Sequence, residues 1–300
     1  MENPMDHNIS DFINYLSAEK QMAQNTLEAY KRDIIEFAAI IKERQGIALS
    51  EASNTEVVAY LLKLKNDGKS AATVNRKVAS LRAFYNFMTA EKIISGNPTA
   101  NIKSPKIERK NIEYLTIEEI DELLAIPDHS VKGRRDKAIL ELLYATGIRV
   151  SEIVEMDLED VNLRMGFVTC TGEHGKARII PMGRPSRAAV EEYIYEVRPK
   201  LLKEDKTSEK ALFVNYSGSR LTRQGLWKLL KEYAKIAGIE NKLTPQTLRN
   251  SFAVHMIQNG ADLKSLQELM GHEDISATQI YLSVSKNRIK EVYDKAHPRA

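Results

Sequence analysis

Four side chains carry groups that could do chemistry together. Arg149 follows a glycine turn in ATGIRVSEI, Arg249 sits in TPQTLRNSFAVHM, and His272 precedes Tyr281 by nine residues in GHEDISATQIY. Guanidinium forks match phosphate oxygens and stay charged at any working pH. An imidazole can donate a hydrogen bond, and a phenol can act as a nucleophile. Each residue also has a plain structural reading. Arg149 could cap a helix end, Arg249 could pair with a carboxylate, His272 could close a helix after Gly271, and Tyr281 could fill a core. Other chemistries are poorly served. In GEHGKA, Cys170 stands where a phosphate-binding loop needs its first glycine, and Ala177 where it needs the magnesium-holding hydroxyl. No spacing of His, Asp or Glu suggests a metal site, and no Gly-x-Ser-x-Gly elbow is present.

Elements must hold these side chains in place. AILELLYATG reads as a buried helix closed by Gly147. Thr244 and Pro245 are N-cap and first residue of a helix through TPQTLRNSFAVHMIQNG, which puts Gln246 and Arg249 on one face. GFVTCTGEHGKARIIPMG has β-branched runs on both sides of a glycine-rich turn, the pattern of a hairpin, with Cys170 as a buried strand residue. Thr116 and Glu119 have capping-box spacing at the head of LTIEEIDELL. The first hundred residues are helical by periodicity. Tyr30, Ile34 and Phe37 form one apolar stripe, and Val74, Val78, Leu81, Tyr85 and Met88 another. The second stripe leaves Arg76, Lys77 and Arg82 off its apolar side, facing solvent or a DNA backbone. SGNPTANIKSP then breaks the pattern with Gly and two prolines.

Composition bounds the class. Three hundred residues suit two domains. No apolar run approaches the roughly 20 residues a membrane span needs, and the N-terminus lacks the regions of a signal peptide. A cytoplasmic protein without a membrane partner is expected. The single cysteine excludes an internal disulfide and a cysteine-built zinc site. Residues 1–110 hold 16 of the 44 Lys and Arg and 13 of the 41 Asp and Glu, so the net +3 falls there. Lys103, Lys106, Arg109 and Lys110 cluster in NIKSPKIERK, a segment that could attract phosphates or simply be solvated.

The four stretches, in this order and spacing, resemble the tyrosine recombinases of the Xer type. NTLEAYKRDI and NRKVASLRAFYNFM are similar to the family's core-binding region, NGADLKSLQELMGHEDISATQIY to its catalytic end, and the closing AHPRA adds to the likeness. The resemblance implies a mainly α fold. A helical, SAM-like core-binding domain would span residues 1–100, a linker 101–113, and an α-rich catalytic domain with a small β hairpin or sheet 114–300. It also implies roles. Arg149 and Arg249 would grip the scissile phosphate, His272 would donate a hydrogen bond to it, and Tyr281 would attack phosphorus to form a 3′-phosphotyrosyl bond. No metal or cofactor is implied. The partner would be duplex DNA with paired half-sites, bound by a homo- or hetero-oligomer, with a tetrameric synapse coupled through the C-terminal helix of SKNRIKEVYDKA. There Ile289, Val292 and Tyr293 share a stripe. Arg76, Lys77, Arg82, Lys103, Lys106 and Arg178 are the candidate DNA contacts.

Two positions depart from the family pattern. Gln246 stands where the family carries a histidine, and an amide cannot shuttle a proton at neutral pH. Ungapped counting puts Glu173 at the hairpin lysine that protonates the leaving oxygen, a carboxylate being the wrong charge beside a phosphate. Lys176, three residues on, is either the substitute or, as the resemblance favours, a DNA-contact lysine. The function expected is Xer-type site-specific recombination in chromosome dimer resolution. The alternatives are a mobile-element integrase or resolvase, and a catalytically weakened DNA-binding partner.

Overall fold

The computed structural model describes residues 4–105, 112–172, 175–203, 208–271 and 276–281. The chain divides into two compact units, Met1–Lys110 and Asn111–Ala300. The mainly α architecture expected from the sequence is what the chain adopts.

In the first unit, α1 (Pro4–Ala18), α2 (Gln24–Gln45), α3 (Asn54–Asn66) and α4 (Ala71–Ala90) surround one apolar core. Their boundaries follow local chemistry. Gly46 closes α2 in the left-handed region at φ 71°, and the Ser53 and Ser70 hydroxyls cap the starts of α3 and α4. Ile34 and Phe37 of α2 meet Val78, Leu81, Tyr85 and Met88 of α4 inside. Lys77, expected on the solvent or DNA side, is instead 5% exposed. Its ammonium reaches Asp33 at 3.1 Å and Glu36 at 2.7 Å. Asp33 also takes hydrogen bonds from Arg76 and from the Ser80 hydroxyl. Burial works against the Asp33 charge, but these donors hold its carboxyl below the usual range. Lys77 therefore ties α4 to α2 instead of facing solvent. Arg76 spends one nitrogen on Asp33 and keeps a half-exposed side chain. Arg82 donates to the Ile102 carbonyl at 2.8 Å.

The second unit begins with α5 (Ile117–Ala125), whose Thr116–Glu119 capping box forms as expected. Next come α6 (Val131–Thr146), α7 (Val150–Glu155) and a three-stranded antiparallel sheet in the order β1 (Val161–Asn162), β2 (Phe167–Thr171), β3 (Ala177–Pro181). β2 and β3 are the expected hairpin, with Cys170 opposite Arg178 and Val168 opposite Ile180. Cys170 is buried, and burial pushes its thiol up to about 12. α8 (Arg184–Glu192) runs through a π-helical turn, Tyr193–Val197, into α9 (Arg198–Leu201). Then follow α10 (Arg223–Ile236), α11 (Pro245–Gln258), α12 (Leu263–Met270) and α13 (Ser276–Gln279). The main core gathers α5, α6, the sheet and α10. A satellite cluster joins Phe252, Ala253 and Val254 of α11 to Leu266 and Met270 of α12 and to Tyr281.

Candidate active site

Three chain turns build the site. Gly147 ends α6 in the left-handed region at φ 57°, and Arg149 is the N-cap of α7. α11 opens on the Thr244 cap with Pro245 in its first turn, as the sequence predicts. It carries Gln246, Arg249 and Asn250 within one turn. α12 ends at Gly271, φ 62°, the residue before His272.

The last carbonyls of α12 collect arginines. Arg178 Nε donates to Leu269 O at 2.8 Å, Arg249 Nη2 to Met270 O at 2.6 Å, and Arg149 Nη2 to Gly271 O at 3.1 Å. A helix C-terminus has unpaired carbonyls and the negative end of the dipole, so it draws cations there. Arg249 is also anchored by Nη1 to Gly147 O, the carbonyl two residues before Arg149. Glu152, one turn into α7, braces the assembly. It accepts both terminal nitrogens of Arg178, at 2.7 and 2.9 Å, the Arg149 backbone N–H at 2.6 Å and Arg149 Nη1 at 3.3 Å. Burial would raise the Glu152 carboxyl, but those donors keep it below its ordinary value. Arg249, 5% exposed, is pulled down to about 10 by burial, with the Arg149 charge pushing the same way and Glu152 opposing. It stays a cation at neutral pH. Among the described residues, three guanidiniums here face one carboxylate, with Arg149 half-exposed at the mouth. The corner suits an anion with several oxygens, such as a phosphate diester.

Tyr281 lies beside it. Its ring is buried in the satellite cluster, and its hydroxyl donates to Asn250 Oδ1 at 3.1 Å. Burial raises its pKa, against the lowering effect of the Arg249 charge. The phenol is therefore neutral at physiological pH. Gln246 Nε2 donates to the same Asn250 oxygen at 2.9 Å, so Gln246 meets Asn250 and not the tyrosine.

The residues of both units match known families. Residues 113–288 match the phage integrase family, and residues 9–92 match the phage integrase N-terminal SAM-like domain. The chain belongs to the phage integrase family. Tyrosine recombinase XerD of Oceanobacillus iheyensis is 44% identical over 297 residues, covering 99% of this chain and all of the relative. Tyrosine recombinase XerD of Listeria monocytogenes is 42% identical, covering 97% of this chain and 99% of its own. Among solved structures, XerH recombinase bound to palindromic difH substrate in a post-cleavage complex has a TM-score of 0.74 at 19% identity, covering 97% of this chain and 96% of that one. A Tn1549 transposon integrase with circular intermediate DNA also scores 0.74, at 18% identity, covering 95% and 99%. These two likenesses are of fold.

Within this phage integrase fold, Arg149, Arg249, Gln246 and Tyr281 come together around α11 and the end of α12. His272, Lys106 and Glu173 lie outside the described residues. Lys176 is exposed in the hairpin turn, and Lys103 is exposed. Arg178, a candidate DNA contact by sequence, has Nε, Nη1 and Nη2 all bonded to protein acceptors inside the unit. Strand alternation could have revealed this, since Arg178 shares a face with the buried Ile180 while Ile179 between them is exposed. Glu152 and Asn250 were missed. The first was readable as the residue three after Arg149 at a helix start. The second, an amide beside Arg249, carries no signal of its own.

Proposed function

We propose that this recombinase cuts and rejoins duplex DNA at a specific site through Tyr281. Arg149 and Arg249 hold the non-bridging oxygens of the scissile phosphate, replacing carbonyl acceptors with charged ones that bind more strongly. His272 donates a further hydrogen bond. The Tyr281 oxygen attacks phosphorus as its proton passes to solvent water, the bond from phosphorus to the 5′-oxygen breaks, and that oxygen takes a proton from the Lys176 ammonium. The product is a 3′-phosphotyrosyl bond and a free 5′-hydroxyl. A 5′-hydroxyl from a second strand reverses the step, so the bond energy is conserved and no cofactor is consumed. Charge on the pentacoordinate phosphorus is met by fixed guanidiniums, which need not reorganise. Lys176 is the candidate donor to the leaving oxygen, with Gln246 as a polar neighbour of the nucleophile's acceptor.

The observation that carries this reading is the gathering of Arg149, Arg249 and the Tyr281 hydroxyl around α11 and the α12 terminus. The named relatives are recombinases, which does not favour a binding-only role. The biological role proposed is chromosome dimer resolution in the cytoplasm, on paired half-sites. The synapse is a homo- or hetero-tetramer linked through residues 286–300.

The test is Tyr281→Phe. A nicked duplex, selected by this protein from a random-sequence pool, serves as suicide substrate. The parent should become covalently attached to it, and the phenylalanine variant should bind equally well without attachment. Attachment by the variant would mean another tyrosine attacks, with Tyr293 next to examine.

A further inference from the structure

The Asn250 amide oxygen accepts the hydrogen bond that the Tyr281 hydroxyl donates, at 3.1 Å. Its own orientation is fixed. Nδ2 donates to the Glu113 carbonyl at 2.9 Å, an atom that can only accept. Oδ1 must then face the other way, where it receives both Tyr281 Oη and Gln246 Nε2. The amide is thus held at three points, and its oxygen presents lone pairs to the phenol. The tyrosine ring beside it is 2% exposed.

We propose that Asn250 is a positioning residue that docks the Tyr281 hydroxyl on α11, and that leaving this dock is a step Tyr281 takes before it attacks. The proposal rests on Tyr281 being the nucleophile. The physical reason is the direction of the bond. An amide oxygen accepts the phenol's hydrogen but has no basicity with which to remove it. The contact exists only while Tyr281 keeps its proton. As the oxygen attacks phosphorus and loses that proton, it would face the Asn250 lone pairs with nothing between them. An interaction made in the ground state and lost in the transition state raises the barrier. Asn250 therefore restrains the reaction, in contrast to Arg149 and Arg249. Gln246 supports the restraint from one turn earlier on the same helix.

The experiment uses Asn250→Ala in the full chain, with Asn250→Ser as a second variant should alanine lower the melting transition. The segment that Asn250 helps hold keeps two other ties, Leu115 N–H to Ser251 Oγ at 2.8 Å and the Thr116 cap. Two readouts are taken. The first is the ultraviolet titration of the Tyr281 phenol, isolated by subtracting the same variant carrying Tyr281→Phe. The second is single-turnover covalent attachment to the selected nicked duplex at saturating protein. With the dock removed, the phenol should titrate at lower pH than in the parent. Attachment should be faster by about fivefold, the factor that one hydrogen bond of ordinary net strength is worth. A merely structural role would slow attachment in both variants. An attachment rate equal to or below the parent's overturns the proposal, whatever the titration does. If instead Tyr281→Phe alone still attaches to DNA, it is the identity of the nucleophile that has failed, and the two failures are told apart.

Discussion

At the scale of single residues, the site depends on side chains that never need to touch DNA. Arg178 is the clearest. It braces Glu152, and through it Arg149, and it pairs with the end of α12. Replacing it with Lys keeps the charge but loses the fork. We expect Arg178→Lys to reduce single-turnover attachment by about 10²-fold, the cost of a small misplacement of the phosphate-holding groups. Affinity for DNA and its salt dependence should stay as in the parent. A DNA-contacting residue would behave otherwise, flattening the salt slope by about 0.9 for each lost phosphate contact. Equilibrium binding across a salt series, beside cleavage rates, separates the two. The same comparison explains what the sequence made legible. Arg149, Arg249 and Tyr281 sit in short motifs whose residue types suggest a chemistry. The partners of Arg178 and Lys77 were not legible, because charge alone does not name a partner. Lys77 meets Asp33 across 44 positions, and Arg178 meets Glu152 across 26. Burial of such pairs is set by tertiary packing, which periodicity does not encode.

At the scale of elements, two glycines carry the geometry. Gly147 turns the chain from α6 toward Arg149 and lends its carbonyl to Arg249. Gly271 closes α12, lends its carbonyl to Arg149, and lies against Arg178. Both have positive φ. An alanine at 271 would pay about 1 kcal/mol for the left-handed conformation. Its Cβ would also stand 2.8 Å from Arg178 Nη1 and 2.9 Å from Cζ. Because that guanidinium is pinned by Glu152 and Leu269, it cannot swing aside without breaking those bonds. Gly271→Ala should lower stability by about 2–3 kcal/mol, read as a shifted urea midpoint, and reduce cleavage more than affinity. An unchanged midpoint would mean that the Arg178 guanidinium yields to the added Cβ. The helices themselves were readable, because apolar stripes and caps are local signals. The glycine turn before Arg149, the Thr244–Pro245 start and the hairpin were readable for the same reason. Strand β1, with two residues paired to Phe167 and Val168, was not. So short a strand exists only by the hydrogen bonds its neighbour offers. Nor was the π-helical turn Tyr193–Val197, which is a change of hydrogen-bond register within an otherwise helical pattern.

At the scale of the whole molecule, the two units have separate cores, one built from α1–α4 and the other from α5 onward. Their unfolding should be separable, and the second should carry its own pH dependence. His255 sets it. The imidazole is 6% exposed, with Nδ1 at 3.0 Å from Tyr144 Oη, ring edges against Tyr114 and Tyr144, and Glu118 of α5 as the nearby charge. Burial lowers its pKa below the ordinary 6.5, and the Leu115 backbone and Glu118 only partly oppose this. The folded unit therefore holds His255 neutral where the unfolded chain would protonate it. Its contribution is complete above about 6.5 and is lost as pH falls from there toward the folded pKa, by at most about 1.4 kcal/mol per pH unit for one proton. Glu152 adds nothing in that range, since its lowered carboxyl stays ionised until more acid conditions. Asp136 of α6 has the opposite sign, because burial raises its pKa and protonation on acidification favours the folded form. A difference measurement isolates His255 from Asp136 and from every other group. His255→Gln keeps a polar side chain of similar reach to Tyr144 without a titratable proton. The stability of parent minus variant, from urea unfolding of the catalytic unit's transition, should be flat from pH 8 to 7. It should fall steadily between pH 6.5 and 5.5. A difference that stays level across that window would show His255 titrating alike in the folded and unfolded chain, with the Leu115 backbone and Glu118 offsetting the burial of the ring.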